Sequence, residues 1–309
     1  MPNFMLDHTQ MRHQQSGLTL IELMVSLVIG LLLAIVASST YFYSKQAYNV
    51  VSETSQAEEN GRFALNLLAK NIQSAGFAME SHASYPTVPY DVKIRGCDFG
   101  MQNPRSATTS SDLTTCLASV PAGTTQSGSI GVFFDTDAYT SAGSQFQGFD
   151  CLGNAAVPVP IPVTSIATVT FQVRSYFFIS TSTVQTAAGT TTMGQLSCVT
   201  DPTTAAGATG TFQVQPLIPG VHQLRASYLT PSGTSSSSAQ RQNTAAQASV
   251  DWSRVVAVEL CVLTRSIQVS GNDTQNAVTD CYGNGFTPPP GQTFRRFTTV
   301  VNLRNRTTS

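Results

Sequence analysis

Ser16-Gly17-Leu18-Thr19-Leu20-Ile21-Glu22 opens the most apolar part of the chain. From Leu18 to Ala37 the residues are almost wholly apolar, and Glu22 is the one charged residue among them. As a helix this run is about 30 Å long, which matches the hydrocarbon core of a bilayer. The preceding residues 1–17 are polar and include His8, Arg12 and His13. A carboxylate inside a bilayer costs about 2.5–3.5 kcal/mol on insertion scales, so an acid kept there marks a candidate functional site. Three readings compete: a secretory signal peptide, a plain membrane anchor, and a signal cut ahead of the apolar run. The first fits poorly, because the run exceeds the usual signal core of about 7–15 residues and contains Glu22.

Beyond this segment the composition is sparse in charge. The chain has 309 residues, of which 11% are charged and 41% hydrophobic. Soluble domains usually carry about a quarter charged residues. A net charge of −1 provides no one-signed field to attract nucleic acid. Six cysteines, Cys97, Cys116, Cys151, Cys198, Cys261 and Cys281, all follow residue 96 and form no CxxC pair. An even count without zinc-type spacing, in a chain with an export segment, predicts disulfides made in an oxidising compartment. About 15 full connectivities are open to six cysteines. Pairing of neighbours (Cys97 with Cys116, Cys151 with Cys198, Cys261 with Cys281) is the expectation.

The lack of proline between Pro2 and Pro86 permits one helix from Leu18 to Ala75, about 85 Å if continuous. Gly30 and Gly61 are places where it can loosen. Its later half is amphipathic: Val50, Thr54, Ala57, Gly61, Ala64, Leu68, Ile72 and Ala75 recur at steps of three and four. Glu58 and Arg62 are spaced for an i,i+4 pair, and Gly76 is a helix stop. The apolar stripe needs a cover, which a sheet can supply. Strand-like runs follow at Ile130–Phe134, Ile166–Ile179, Phe212–Gln215, Val221–Leu229, Val255–Leu263 and Phe294–Leu303. With no amphipathic helices between them, they predict an antiparallel sheet and an α+β class. Val255–Leu263 is apolar on both faces and reads as a central strand. Pro158, Pro160 and Pro162 exclude one at their position. Ala107–Ser129, Ser182–Gly210 and Ser232–Ser249 are rich in Ser, Thr, Ala and Gly and read as long surface loops. No internal repeat stands out.

Catalytic patterns are missing: there is no HExxH, GxSxG or P-loop. His82 and His222 are the only histidines after residue 17. Asp135-Thr136-Asp137 lacks the other ligand positions of a calcium loop and reads as a turn. Gly271-Asn272-Asp273 is a turn signal. Asn272-Asp273-Thr274 and Asn305-Arg306-Thr307 match a glycosylation sequon of a kind that chance supplies often. Trp252 reads as core packing. The expectation is that the chain is not an enzyme, with no cofactor and no metal.

Gly17-Leu18-Thr19-Leu20-Ile21-Glu22 closely resembles the prepilin motif, with a Gly before the cut and a Glu as fifth residue after it. Leu18 stands where the family usually has Phe. The resemblance implies a 1–17 leader, cleavage by a prepilin peptidase between Gly17 and Leu18, methylation of the new Leu18 amine, and Glu22 as an assembly contact that neutralises a neighbour's amine. Residues 18–45 are then a transmembrane and stalk helix, and 46–309 a periplasmic head built on the pilin fold. Glu59-Asn60-Gly61-Arg62-Phe63-Ala64-Leu65, Ala75-Gly76-Phe77 and Leu27–Leu33 look like the PilW branch of minor pilins. So does the ending Arg295-Arg296-Phe297-Thr298-Thr299-Val300-Val301-Asn302-Leu303-Arg304-Asn305-Arg306. That ending reads equally as an edge strand with solvated arginines. The implied role is a minor pilin at or near the tip of a type IV pilus, priming assembly and serving twitching motility. The implied partners are the other minor pilins, the major pilin and, as a further candidate, a large tip adhesin. The chain would sit in the inner membrane as a single pass before moving to the pilus at the cell surface. A J-type pseudopilin of a type II secretion system shares the N-terminus and is the alternative. A pilus-displayed adhesion or DNA-uptake module is a third, for which no basic, aromatic-lined stripe is visible.

Overall fold

Apolar residues at three- and four-residue steps, with no proline to interrupt them, produce a 55-residue helix, α1 (Leu20–Ser74). In this computed structural model the described residues are 19–77, 93–136, 149–154, 157–160, 169–186, 189–201, 212–231, 240–243, 250–267 and 275–305. The leader, Gly17, Leu18, His82, Asp137 and the Asn272 sequon lie outside them, as do Arg306 and Thr307 of the second sequon. The chain divides into two compact units, Met1–Asn49 and Val50–Ser309.

The second unit is a head of helix and antiparallel strands. In chain order the elements after α1 are β1 (Ile94–Cys97), α2 (Ser110–Thr114), β2 (Ser129–Thr136), β3 (Val157–Pro160), β4 (Val169–Thr186), β5 (Gly189–Thr200), β6 (Gln213–Pro219), β7 (Val221–Pro231), β8 (Gln240–Asn243), β9 (Ala257–Arg265), β10 (Val278–Thr279), β11 (Gly285–Phe286) and β12 (Phe294–Asn302). They form two main sheets and a small ribbon, β10–β11. The first sheet runs β1-β2-β4-β5-β6, with β3 added to β4. The second runs β12-β9-β7-β8. All pairings are antiparallel. The α+β class and the antiparallel pairing agree with the sequence reading, but among the described residues there are two main sheets and twelve strands rather than about six in one sheet.

One core joins the helix to both sheets. Ala64, Leu68, Ile72 and Ala75 of the helix end pack with Ile94, Ile130, Phe177 and Leu196 of the first sheet and with Leu224, Tyr228, Leu260, Val262 and Val301 of the second. The expected stripe is therefore the buried one: Ala57, Gly61, Ala64, Leu68, Ile72 and Ala75 are all covered. The helix stops at Gly76 (φ 71), whose N–H donates to the Phe133 carbonyl at 2.8 Å.

Strand β9 is central, lying between β12 and β7, and eight of its nine residues are buried. The proline-bearing β3 pairs only with β4, at the first sheet's margin. The Thr-rich stretch from Ser182 departs from the loop reading. Through Thr200 it forms the hairpin of β4 and β5. Threonine is β-branched and favours strands, so low charge and low complexity did not here mean a loop. Cys198, expected in a loop, is fully buried in β5. Asp135 and Thr136, expected in a turn, are paired in β2 with Gln172 and Phe171.

Candidate functional site

The first described turn of α1 is closed by the Thr19 carbonyl, which accepts from Glu22 N at 3.1 Å and Leu23 N at 3.2 Å. Glu22 lies in that first turn, where the positive end of the helix dipole favours a negative charge. Every residue from Thr19 to Asn49 is exposed. The exposed residues include leucines, isoleucines and valines on every face, among them Leu20, Ile21, Leu23, Leu27, Ile29, Leu31, Leu32 and Ile35. A helix apolar all round needs a lipid or protein environment on all sides. Within α1 the segment is long and apolar enough to cross a membrane. Three of its hydroxyls fold back on the helix: Ser26 Oγ donates to Glu22 O at 2.7 Å, and Ser39 and Thr40 donate to Val36 O.

In the head, two segments read above as similar to the PilW branch, Glu59–Leu65 of α1 and the ending from Arg295, lie against one another. Phe297 of β12 packs directly over Gly61 of α1, where a Cβ would collide with its ring. Gly61 is thus a close-approach residue, not a loosening point. Glu58, spaced for Arg62, instead lies 3.9 Å from Arg295 Nε. Asn60 Nδ2 donates to Pro219 O at 3.1 Å, and Glu53 Oε2 accepts from Ile267 N at 3.1 Å. Thr264 Oγ1 donates to Ala57 O at 3.0 Å. Asn305 Nδ2 reaches the carbonyls of Ser74 and Ala75, each at 3.4 Å, at the C-terminal end of the helix. Arg295 and Arg296 are exposed on the margin of the second sheet, which is the edge-strand arrangement. Beside this contact, Ser55, Glu58, Glu59, Arg62, Phe63 and Asn66 line a shallow concavity, and Phe63 is exposed.

The six cysteines form three disulfides, Cys97–Cys116, Cys151–Cys198 and Cys261–Cys281. Two of them end in loops of the same kind. Asp150-Cys151-Leu152-Gly153-Asn154 and Asp280-Cys281-Tyr282-Gly283-Asn284 share the pattern Asp-Cys-x-Gly-Asn. In the first, Asp150 Oδ1 accepts from the backbone N–H groups of Leu152 and Asn154 at 2.8 and 2.9 Å, and Asn154 Nδ2 donates to Asp150 Oδ2. In the second, Asp280 Oδ1 accepts from Tyr282 and Asn284 at 2.8 Å each, and Asn284 Nδ2 donates to Asp280 Oδ2. Gly153 and Gly283 take positive φ angles of 80° and 91°, which only glycine accepts cheaply. Each loop is stapled to a central strand, Cys151 to β5 and Cys281 to β9. Burial opposes ionisation of Asp280, yet its hydrogen bonds from Asn284, Gln223 and Tyr282 win and hold its pKa below the usual carboxylate range. Carboxylates so enclosed by N–H donors serve the loop and are poor metal ligands. Sequence reading missed this repeat, since five residues are too few to stand out.

No group of three or more His, Cys, Asp or Glu able to hold a metal occurs among the described residues. His222 is partly buried, its ring edge-on to Phe294 at 5.3 Å and its Nε2 3.4 Å from Thr125 Oγ1. Burial, with Arg265 nearby, lowers its pKa to about 4. Trp252 stands edge-on to the buried Tyr228 ring, with centroids 4.8 Å apart, which is the packing role expected of it.

Comparison with known families adds two matches. The prokaryotic N-terminal methylation motif matches residues 12–38, and Type IV Pilus-assembly protein W matches residues 176–305. Together the two matches make the chain similar to PilW-like type IV pilins. The methylation-motif match covers residues 12–17 of the expected leader, Glu22 and the exposed apolar part of α1 as far as residue 38. The PilW match runs from Tyr176 within β4 to Asn305, the residue that caps the helix. It spans the whole second sheet, the later part of β4 with β5 and β6 of the first, and both staple strands. No curated protein and no solved structure matches the chain.

Proposed function

We propose that this PilW-like chain is a minor pilin of a type IV pilus, cleaved between Gly17 and Leu18 by a prepilin peptidase and methylated on Leu18. Residues 1–17 are the leader, 18–45 the membrane and stalk helix, and 46–309 the periplasmic head. Before assembly the helix crosses the inner membrane once. After extraction it packs among the helices of other minor pilins and the major pilin, at or near the tip, where it primes assembly. The observation that carries this reading is the fully exposed apolar helix headed by Glu22 and fused to a self-sufficient, disulfide-braced head. Glu22 meets the methylated amine of a neighbouring subunit. Desolvated opposite charges attract strongly, and a carboxylate left buried without a partner is costly. One helix repeatedly docking head-to-tail on the next yields an open helical array.

Two measurements test this. Mass spectrometry of the protein from sheared pili should find an N-methylated Leu18 as first residue; any other N-terminus sinks the cleavage assignment. Deletion should abolish or strongly reduce piliation and twitching, wild-type copies should restore both, and Glu22→Ala should not. Normal piliation with loss of exoprotein secretion would assign the chain to a type II secretion system.

A further inference from the structure

We propose that Tyr41, Phe42, Tyr43 and Tyr48 form an aromatic collar that seats α1 at the membrane–water interface on the side away from Glu22. The partner is the lipid headgroup layer, with Lys45 reaching into it. The inference rests on the membrane-crossing reading of the helix and deepens it by fixing where the helix stops in the bilayer. The four rings are exposed by 64%, 69%, 74% and 73%, so no described residue covers them. Their placement around the helix separates lipid from protein as the cover. At about 100° per residue, Phe42, Tyr43 and Tyr48 stand roughly 100°, 200° and 340° around from Tyr41. An apolar face built for packing against one core spans a stripe of the order of 100°. A headgroup layer surrounds a helix on every side and fits a girdle.

Length gives the second argument. Leu20 to Ser39 is about 30 Å of helix, so a bilayer that takes Leu20 at one face ends near Ser39. Ser39 and Thr40 fold their hydroxyls back to the Val36 carbonyl at 2.8 and 2.9 Å, and the rings begin one residue later. Tyrosine, with an apolar ring and a polar tip, is enriched at such interfaces. Lys45 can extend its stem along the helix and keep its ammonium among phosphates.

The test uses the full-length chain in phosphatidylethanolamine–phosphatidylglycerol vesicles. Its single tryptophan is first removed by Trp252→Phe, and Leu31→Trp, Tyr43→Trp or Val51→Trp is then introduced singly. Bromines at acyl positions 6,7 or 11,12 and aqueous iodide serve as quenchers. The expected result is that Leu31→Trp is quenched at least twofold more by the deep bromines than by the shallow ones. Tyr43→Trp should show the reverse, and Val51→Trp should respond to iodide alone. Deep quenching of Tyr43→Trp, or iodide quenching equal to that of Val51→Trp, overturns the collar. So does insensitivity of Tyr43→Trp to all quenchers, which would mean that a second copy of the chain covers it. Loss of bromine quenching at Leu31→Trp instead overturns insertion itself, so the two failures are distinct. With Tyr41, Phe42, Tyr43 and Tyr48 all replaced by Ser, the shallow-to-deep ratio at Leu31→Trp should shift at least twofold, and an unchanged ratio would overturn the collar.

Discussion

The two halves of α1 have opposite fates. From Thr19 to Asn49 every residue is exposed, whereas from Ala57 to Ala75 a residue is buried at nearly every third or fourth step. The first half is apolar on all faces and the second on one. The buried stripe finds its cover within the chain, in two sheets that share one core with it. The all-round apolar half finds none among the described residues, and it suits an environment of lipid or protein on every side. A side chain removed from the second half should therefore cost folding stability, and one removed from the first should not.

The sharpest way to break this contrast is a matched pair of truncations. Leu68→Ala removes a fully buried leucine and should destabilise the head by about 2–5 kcal/mol. Leu32→Ala, in the exposed half, should leave the head's thermal unfolding in detergent unchanged. Equal shifts from the two variants would remove the distinction. The disulfides come next. Replacing both Cys151 and Cys198 by Ser should cost about 2–5 kcal/mol. The sequence separations are 47 for this pair and 20 for Cys261 and Cys281. Loop-closure entropy makes the first staple worth more by about 0.8 kcal/mol. Denaturant midpoints of the two double variants would show whether that ordering holds. Gly61→Ala is smaller. The new methyl group meets the Phe297 ring, and overpacking of this kind costs about 1–3 kcal/mol. Gly61→Ala combined with Phe297→Leu should recover part of the loss in the same melts.

The sequence declared the first half of the helix plainly and the head unevenly. Twenty apolar residues interrupted by one acid have few alternative readings, and a stripe of Ala57, Ala64, Leu68 and Ile72 is visible at its own period. Strand β9 was legible because both of its faces are apolar, and β12 because its arginines suit an edge. Strand β5 was not. Its Gly189-Thr190-Thr191-Thr192 opening looks like linker, and only its pairing with β4 shows threonine acting as a strand former. The split into two sheets was hidden because antiparallel strands carry the same alternation in either sheet. The meeting of Gly61 with Phe297 joins residues far apart in the chain, and no local pattern announces it. Gly17 and Leu18, read from the motif, lie outside the described residues.

A dependence on pH again separates the two halves, because His222 lies in the head. Its folded pKa of about 4 is depressed by burial first and by Arg265 second, against about 6.5 in the unfolded chain. Above pH 6.5 both states hold a neutral imidazole, and the stability is fully present. As pH falls from about 6.5 to about 4, the unfolded chain takes up a proton that the folded head refuses, so stability declines. Below that, Asp280 and Asp112 extend the decline. Hydrogen bonds hold the pKa of both below the ordinary carboxylate range, that of Asp112 at about 2 through the Thr108 and Thr109 backbone N–H groups. His222→Phe should therefore flatten the denaturant midpoint between pH 6.5 and 4 while leaving the fall below pH 4 in place. A wild-type midpoint that rises on acidification through this window would show that His222 is protonated in the folded head.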